Sequence, residues 1–349
     1  MITWIGADVG KDHIVVFVNG RLGKLNNEPE TLKRFFRKFD QSAALVIEGS
    51  GGYCRKAIEA ALAQGITVYA VNPADFKKYR DSLNYRAKSD PIDAELLARY
   101  GEKECDRLRV FRPGTPEATR ARALLGLRDL LVKSRSALAV SFSALNEPIQ
   151  EELAWFLGDL SHVGERILQI EQELAEYVRS RPVARTLMEI PGIGILTATA
   201  LDWVFDRCQF SNSDQLVAFV GLDVRVRDSG KMKGARKLTK RGDALVRKLC
   251  INAAHSLRRS VAWRPLFLRF ASRGLPVAAV DAIVARKLLR IAFALTTGVK
   301  FDPGLIGGLA YDQFTAKTLR FRPTSVLLPP CARRLMKIPR IATKIPARC

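Results

Sequence analysis

The period of the apolar pattern changes at Pro113, so one architecture cannot serve the whole chain. Before that residue, short β-rich runs alternate with helical patterns. Ile2 to Val9, His13 to Val18, Ala43 to Glu48 and Ile66 to Val71 read as strands, and Tyr53 to Gln64 as a helix. A further helix is expected from Pro91 towards Tyr100, with Asp90 as its cap. Alternation of this kind predicts an α/β layer on a mixed sheet.

Beyond Pro113 the period becomes helical. Leu124, Leu131, Leu138 and Leu145 recur every seven residues until Pro148, and Ile167, Ile170, Leu174 and Tyr177 share one face of a second helix over Glu165 to Val178. The two predict an αα-hairpin, either an ordinary intramolecular one or one that pairs with another chain. Leu187 to about Asp312 reads as mainly helical, with Gly-rich breaks at "IPGIG" and "GLDVRVRDSGKMKG". For 349 residues, at roughly 150 per domain, the expected layout is an α/β domain over 1–112, the hairpin over 113–180 and a helical domain over 181–312. Gln313 to Cys349 carries nine Lys or Arg, five Pro and no acidic residue, which predicts a basic tail that orders on a partner or merely solubilises.

The charge balance restricts the partner. There are 57 Lys and Arg against 35 Asp and Glu, a formal +22, and such an excess costs self-repulsion unless a polyanion compensates it. The polyanion is nucleic acid or an anionic membrane surface, and insertion into a membrane is disfavoured, because the most apolar stretch, Val277 to Thr297, is interrupted by Asp281, Arg286, Lys287 and Arg290. No secretory leader pattern opens the chain, so a cytoplasmic protein, associated with a bacterial nucleoid, is expected. Six scattered cysteines and three histidines make neither a disulfide framework nor a zinc site.

Two of the expected strands end in acid: Asp8 in "WIGADVGKD" and Glu48 in "LVIEGSGGY". Asp90 and Asp93, in "KSDPIDAELLARY", are three apart and project from one face of a helix. Singly, each has an ordinary role as a cap, a strand-end charge or a solvated residue. If the helix packs over the strand ends, however, four carboxylates converge, and their repulsion calls for divalent cations. Magnesium suits such hard oxygen ligands, and two ions can clamp both oxygens of a phosphodiester displacement. "GSGG" after Glu48 lacks the spacing of a phosphate loop and reads as a tight turn. Ser229, within "RDSGK", reads from chemistry alone as a turn residue, with no His nearby to take its proton. Between Arg225 and Lys248, however, ten Lys or Arg face two Asp, a density that favours nucleic acid.

The ordered set "GADVGKD", "VIEGSGGY", "VYAVNPADFKKYRDSLNYRAKSDPIDAELLARY", "IPGIG" and "FVGLDVRVRDSGKMKG" resembles the insertion-sequence transposases of the DEDD type. That family takes in bridge-RNA-guided recombinases and Piv-like DNA invertases. The resemblance runs from about Ile2 to Asp312. It implies an N-terminal RuvC-like (RNase H-fold) domain holding Mg²⁺ on Asp8, Glu48, Asp90 and Asp93, and a C-terminal transposase domain whose nucleophile is Ser229, linked transiently to DNA. It further implies active sites shared between protomers of a homodimer or homotetramer, with the hairpin as the oligomerising element, and a guide RNA in the bridge-RNA branch. Lys231 and Lys233 are expected to stabilise developing charge. Arg236, Lys237, Lys240 and Arg241 are expected on backbone phosphate, and Gly192 and Gly194 in a helix-hairpin-helix turn that binds phosphate or simply turns the chain. The expected function is Mg²⁺-dependent DNA strand cleavage and exchange through a covalent serine–DNA intermediate, guided by a bridge RNA. The alternatives are a Piv-like invertase without guide RNA, a RuvC-like nuclease using water, and a non-catalytic nucleic-acid scaffold.

Overall fold

A computed structural model describes residues 2–49, 52–85, 89–143, 150–225, 228–229, 232–233 and 236–299; for 143, 150–157, 228–229 and 232–233 only the backbone is described. The expected basic tail, 313–349, lies outside them. The chain divides into two units, 1–113 and 114–349.

The first unit is a mixed α/β layer. β1 (Thr3–Val9), β2 (His13–Val18) and β3 (Arg21–Asn26) form an antiparallel meander, while β4 (Ala43–Glu48) and β5 (Thr67–Val71) join parallel on the other side of β1. The order is β3-β2-β1-β4-β5. The helices are α1 (Pro29–Phe36), α2 (Arg55–Leu62), α3 (Pro73–Ser82) and α4 (Asp90–Glu104). β3, α1 and α3 were not anticipated. The signal for β3 was present, since Asn19 and Gly20 both adopt positive φ, the backbone of a two-residue hairpin turn. Lys24 and Gly23 obscured the strand pattern itself.

Strand alternation sorts the apolar residues into two layers. Ile5, Ala7, Leu45 and Ile47 face Leu32, Phe36 and Ile58 of α1 and α2. Trp4 and Val46 face the opposite way, towards Phe76 of α3 and Leu96 and Leu97 of α4. On this second side α4 lies against β1 at minimal distance: a Cβ on Gly6 would stand 2.0 Å from the Ala94 carbonyl oxygen, and one on Gly101 2.3 Å from Val46. Only glycine permits that approach.

The second unit is mainly helical. α5 (Pro116–Ser143) and α6 (Gln150–Ser180) make the expected hairpin, with Arg128 paired to Glu171 and the Arg135 guanidinium against Gly164, an antiparallel register. Leu124 and Leu131 lean on the core of their own chain and Leu138 is exposed, so the sevenfold seam divides; Leu145 lies outside the described residues. There follow α7 (Pro182–Leu187), α8 (Ile195–Arg207) and α9 (Ser213–Val220). Four two-residue strands come next: β6 (Val224–Arg225), β7 (Asp228–Ser229), β8 (Met232–Lys233) and β9 (Lys237–Leu238). α10 (Ala244–Ser256), α11 (Arg264–Ala271) and α12 (Val277–Thr296) follow, and a fully buried Trp263 belongs to the same core. At its base, Arg181 bridges Asp202 (3.0 Å) and Asp206 (2.8 Å), Tyr177 donates to Asp202, and Asp206 accepts from the Thr115 amide (2.6 Å). The hairpin ends are thereby tied to α8 through buried, paired charges. Among the described residues no helix is long and apolar enough to cross a membrane.

Candidate functional site

The strand registers decide where the acids point. Ala7 pairs with Ile47, so Asp8, one residue short of the end of β1, and Glu48, the last of β4, lie on one rung of neighbouring parallel strands. Gly6 faces α4, and with the twofold alternation of a strand Asp8 faces it too; Glu48 follows Val46 on the same side. That side receives the first turn of α4, which carries Asp90 and Asp93. Asp90 is not the cap expected of it. Ser89 has the extended backbone of the cap, and Asp90 is the first helical residue, because Pro91 is compatible with the opening turn. Both acids sit favourably at the positive end of the helix dipole.

The electrostatics carry the same geometry. The Asp8 carboxyl is raised from 3.8 to about 6, first by burial and then by the charges of Asp90, Asp93 and Glu48. All four carboxylates therefore act within one local field. Asp93, buried to 5% exposure, accepts from Arg80 of α3 through both oxygens at 3.0 and 3.1 Å. Arg80 is a functional candidate that the sequence reading missed; its signal was a cation on the helix that precedes the acidic pair. Hard oxygen donors with unrelieved repulsion at Asp8 suit a divalent cation such as Mg²⁺. As they stand, no three of the described acids lie close enough to enclose an ion, and Arg80 already offsets one of them.

A second residue outside the sequence reading is Asn27. Buried just past β3, its Nδ2 donates to the carbonyls of Gly10 (3.0 Å), Lys11 (3.3 Å) and Tyr53 (3.2 Å). One amide thus ties the turn that follows Asp8 to the segment that follows Glu48. Lys56 closes the knot by donating to the Asn27 carbonyl at 3.1 Å.

In the second unit, Ser229 lies on β7, paired with Met232 of β8; Gly230 and Lys231 lie outside the described residues, as do the side chains of Ser229 and Lys233. The ribbon that carries them leaves and returns at a glycine crossing. A Cβ on Gly242 would stand 2.0 Å from the Phe219 carbonyl oxygen, and one on Gly221, at φ +76°, 2.7 Å from the amides of Arg241 and Gly242. Above the crossing β6 pairs with β9, and Thr239 donates to Asp223. Arg236, Lys237, Lys240 and Arg241 are exposed along the returning limb. Gly192, at φ +87°, packs against Leu257 and the Ala253 carbonyl, whereas Gly194 opens α8 with free space where a side chain would be. The carboxylate set and the Ser229 ribbon fall in different units.

Comparison with known proteins gives two family matches. Residues 5–145 match a transposase family of the DEDD IS110 type, and residues 184–269 match the transposase IS116/IS110/IS902 family. Among individual relatives, the chain is 29% identical over 231 residues to the transposase for insertion sequence element IS1111A of Coxiella burnetii, covering 57% of this chain and 62% of that protein, which is less than two thirds of its length. It is 28% identical over 266 residues to the pilin gene-inverting protein of Moraxella lacunata, covering 72% and 79%. A probable family 20 transposase of Pseudomonas aeruginosa is 28% identical over 204 residues, covering 54% and 60%.

Proposed function

The chain carries the transposase domains of the IS110 type, and on that premise we propose that it is a DNA recombinase whose RuvC-like unit and Ser229 ribbon act on the same phosphodiester. The single observation that carries the reading is geometric: Asp8 and Glu48, on neighbouring parallel strands, face the first turn of α4 with Asp90 and Asp93, close enough that, beyond burial, those charges raise the Asp8 carboxyl. The sheet order β3-β2-β1-β4-β5, with acids at the ends of two adjacent strands, supports the RuvC-like (RNase H-fold) assignment.

In this reading Asp8, Glu48, Asp90 and Asp93, the last of them ion-paired with Arg80, would draw together around Mg²⁺. A metal held there would supply Lewis-acid polarisation of the phosphodiester. Ser229 provides the nucleophile: its Oγ bonds to phosphorus, the P–O bond to the leaving sugar oxygen breaks, and solvent takes the serine hydroxyl proton and returns one to the leaving oxygen, which departs as a sugar hydroxyl. Lys231 and Lys233 stabilise the negative charge that develops. Arg236, Lys237, Lys240 and Arg241, with the Gly192–Gly194 turn, bind flanking phosphates. Because the two centres lie in different units, sharing of active sites between protomers of a dimer or tetramer is part of the proposal. Exposed Leu127, Leu130 and Leu138 on α5 support a pairing role for the hairpin.

The test is adduct formation on labelled target DNA. Wild type should give a protease-sensitive protein–DNA adduct, and Ser229→Ala should give none. Equal adducts would rule out the serine. Cutting by Ser229→Ala but not by Asp8→Ala would instead identify hydrolysis by water.

A second reading, inversion of a fixed DNA segment, is favoured by the longer match to the pilin gene-inverting protein. RNA copurifying with the chain, and required for strand exchange, would identify the bridge-RNA-guided branch; recombination by RNA-free protein would identify the invertase.

A further inference from the structure

The rung that carries Asp8 does not end with the carboxylates. Asp8 pairs with Val15, and Val15 with Lys24, so Lys24 lies on the same face two strands away, roughly 10 Å from Asp8 at the usual strand spacing. There the sheet opens into a cleft of about 390 Å³, lined by Lys11, Asp12, His13, Val15, Lys24 and, from α4, Asp90. Asp90 belongs at once to this cleft and to the carboxylate set. Among the described residues neither Lys11 nor Lys24 enters an ion pair, and both are exposed. The rim is rigid: Asn27 holds the Gly10 and Lys11 carbonyls with its side chain, and its own amide donates to the Asp12 carbonyl at 2.9 Å. Unpaired cations on a preorganised rim, beside acids that call for a metal, match the backbone of a strand more closely than a neutral ligand.

We propose that this cleft seats a phosphate of the substrate DNA strand next to the one that reacts, with Lys24 and Lys11 as its counter-charges. The proposal rests on the reading that the four carboxylates act on a phosphodiester. Asp12 and Asp90 also line the cleft and oppose the anion, so the two lysines must outweigh them, while His13 offers a further donor. DNA is preferred over a guide RNA because the cleft adjoins the reacting centre.

The test uses the full chain and a labelled random-sequence DNA oligonucleotide, with affinity measured against salt in matched magnesium and magnesium-free buffers. The double variant Lys11→Gln/Lys24→Gln should bind about tenfold more weakly, and its log-log salt slope should fall by about 0.7 for each phosphate of a single strand that it no longer neutralises. Lys11→Arg/Lys24→Arg should restore both. Lys33→Gln/Lys38→Gln, on and just beyond α1 across the sheet, serves as the control and should leave the slope unchanged. A wild-type slope in the first variant, an equal loss in the control, or a loss confined to an RNA oligonucleotide would overturn the proposal, as would absence of DNA binding by wild type. The underlying reading is tested separately by Asp8→Asn. If that variant cuts as wild type does, the carboxylate chemistry falls, whatever the slope of the lysine variants.

Discussion

At the scale of single residues, Asp8 dictates a pH dependence whose sign can be worked out. Its folded pKa of about 6 exceeds the ordinary 3.8, so between those values the folded state binds more protons than the unfolded chain. The contribution of Asp8 to stability is full below about pH 4 and is lost as pH rises through 6. Asp8→Asn should therefore raise the melting temperature at pH 7.5 and leave it nearly unchanged at pH 4. Magnesium or manganese should raise the wild-type melting temperature at pH 7.5, and the variant's much less; equal shifts would separate metal binding from these acids. Asn27→Ala strips three carbonyls of a buried donor and should cost about 2 kcal/mol in denaturant unfolding. It should also reduce strand cutting, since the turns after Asp8 and Glu48 lose their common anchor. Asn27 was not foreseen because nothing beside it in the chain marks it out; its role exists only once two distant loops meet it.

At the scale of elements, glycine decides two placements. Gly6→Ala sets a methyl against the α4 backbone, at a site with no flexible side chain to yield, and should destabilise the first unit by about 3 kcal/mol. The acids should suffer more than the fold, because α4 carries Asp90 and Asp93; partial refolding with lost cutting is the expected outcome, read by circular dichroism beside activity. Gly242→Ala should have a local effect in the second unit. It blocks the crossing at which the Ser229 ribbon returns, so adduct formation should fall while the helical signal persists. The ribbon was legible as a Gly-rich break in a helical region, and its β pairing was not. Two-residue strands have no periodicity to display, and they are set by the crossing beneath them. The leucine seam shows the converse limit: a sevenfold repeat specifies a helix face, yet whether the chain's own core covers that face depends on neighbours distant in sequence. Leu130, 59% exposed, lies just off the repeat.

At the scale of the whole molecule, the formal +22 sets the affinity for polyanions and how steeply it falls with salt. Binding to random duplex DNA should show a steep negative log-log slope, about 0.9 per phosphate neutralised; a slope near zero would remove the electrostatic premise. What the amino-acid order determined on its own was a change of period at Pro113, acids at the ends of two β-rich runs, an acidic pair one helical turn apart and a cation-dense Ser-Gly segment. These are local properties, carried by neighbouring residues whatever the rest of the chain does. Tertiary structure alone decided that Asp8, Glu48, Asp90 and Asp93 share a face, that Arg80 takes up one of them, that Asn27 joins their loops and that Lys24 extends their rung. Each of these depends on strand register or on how helices and loops pack over the sheet, and both are relations between segments that no single segment encodes.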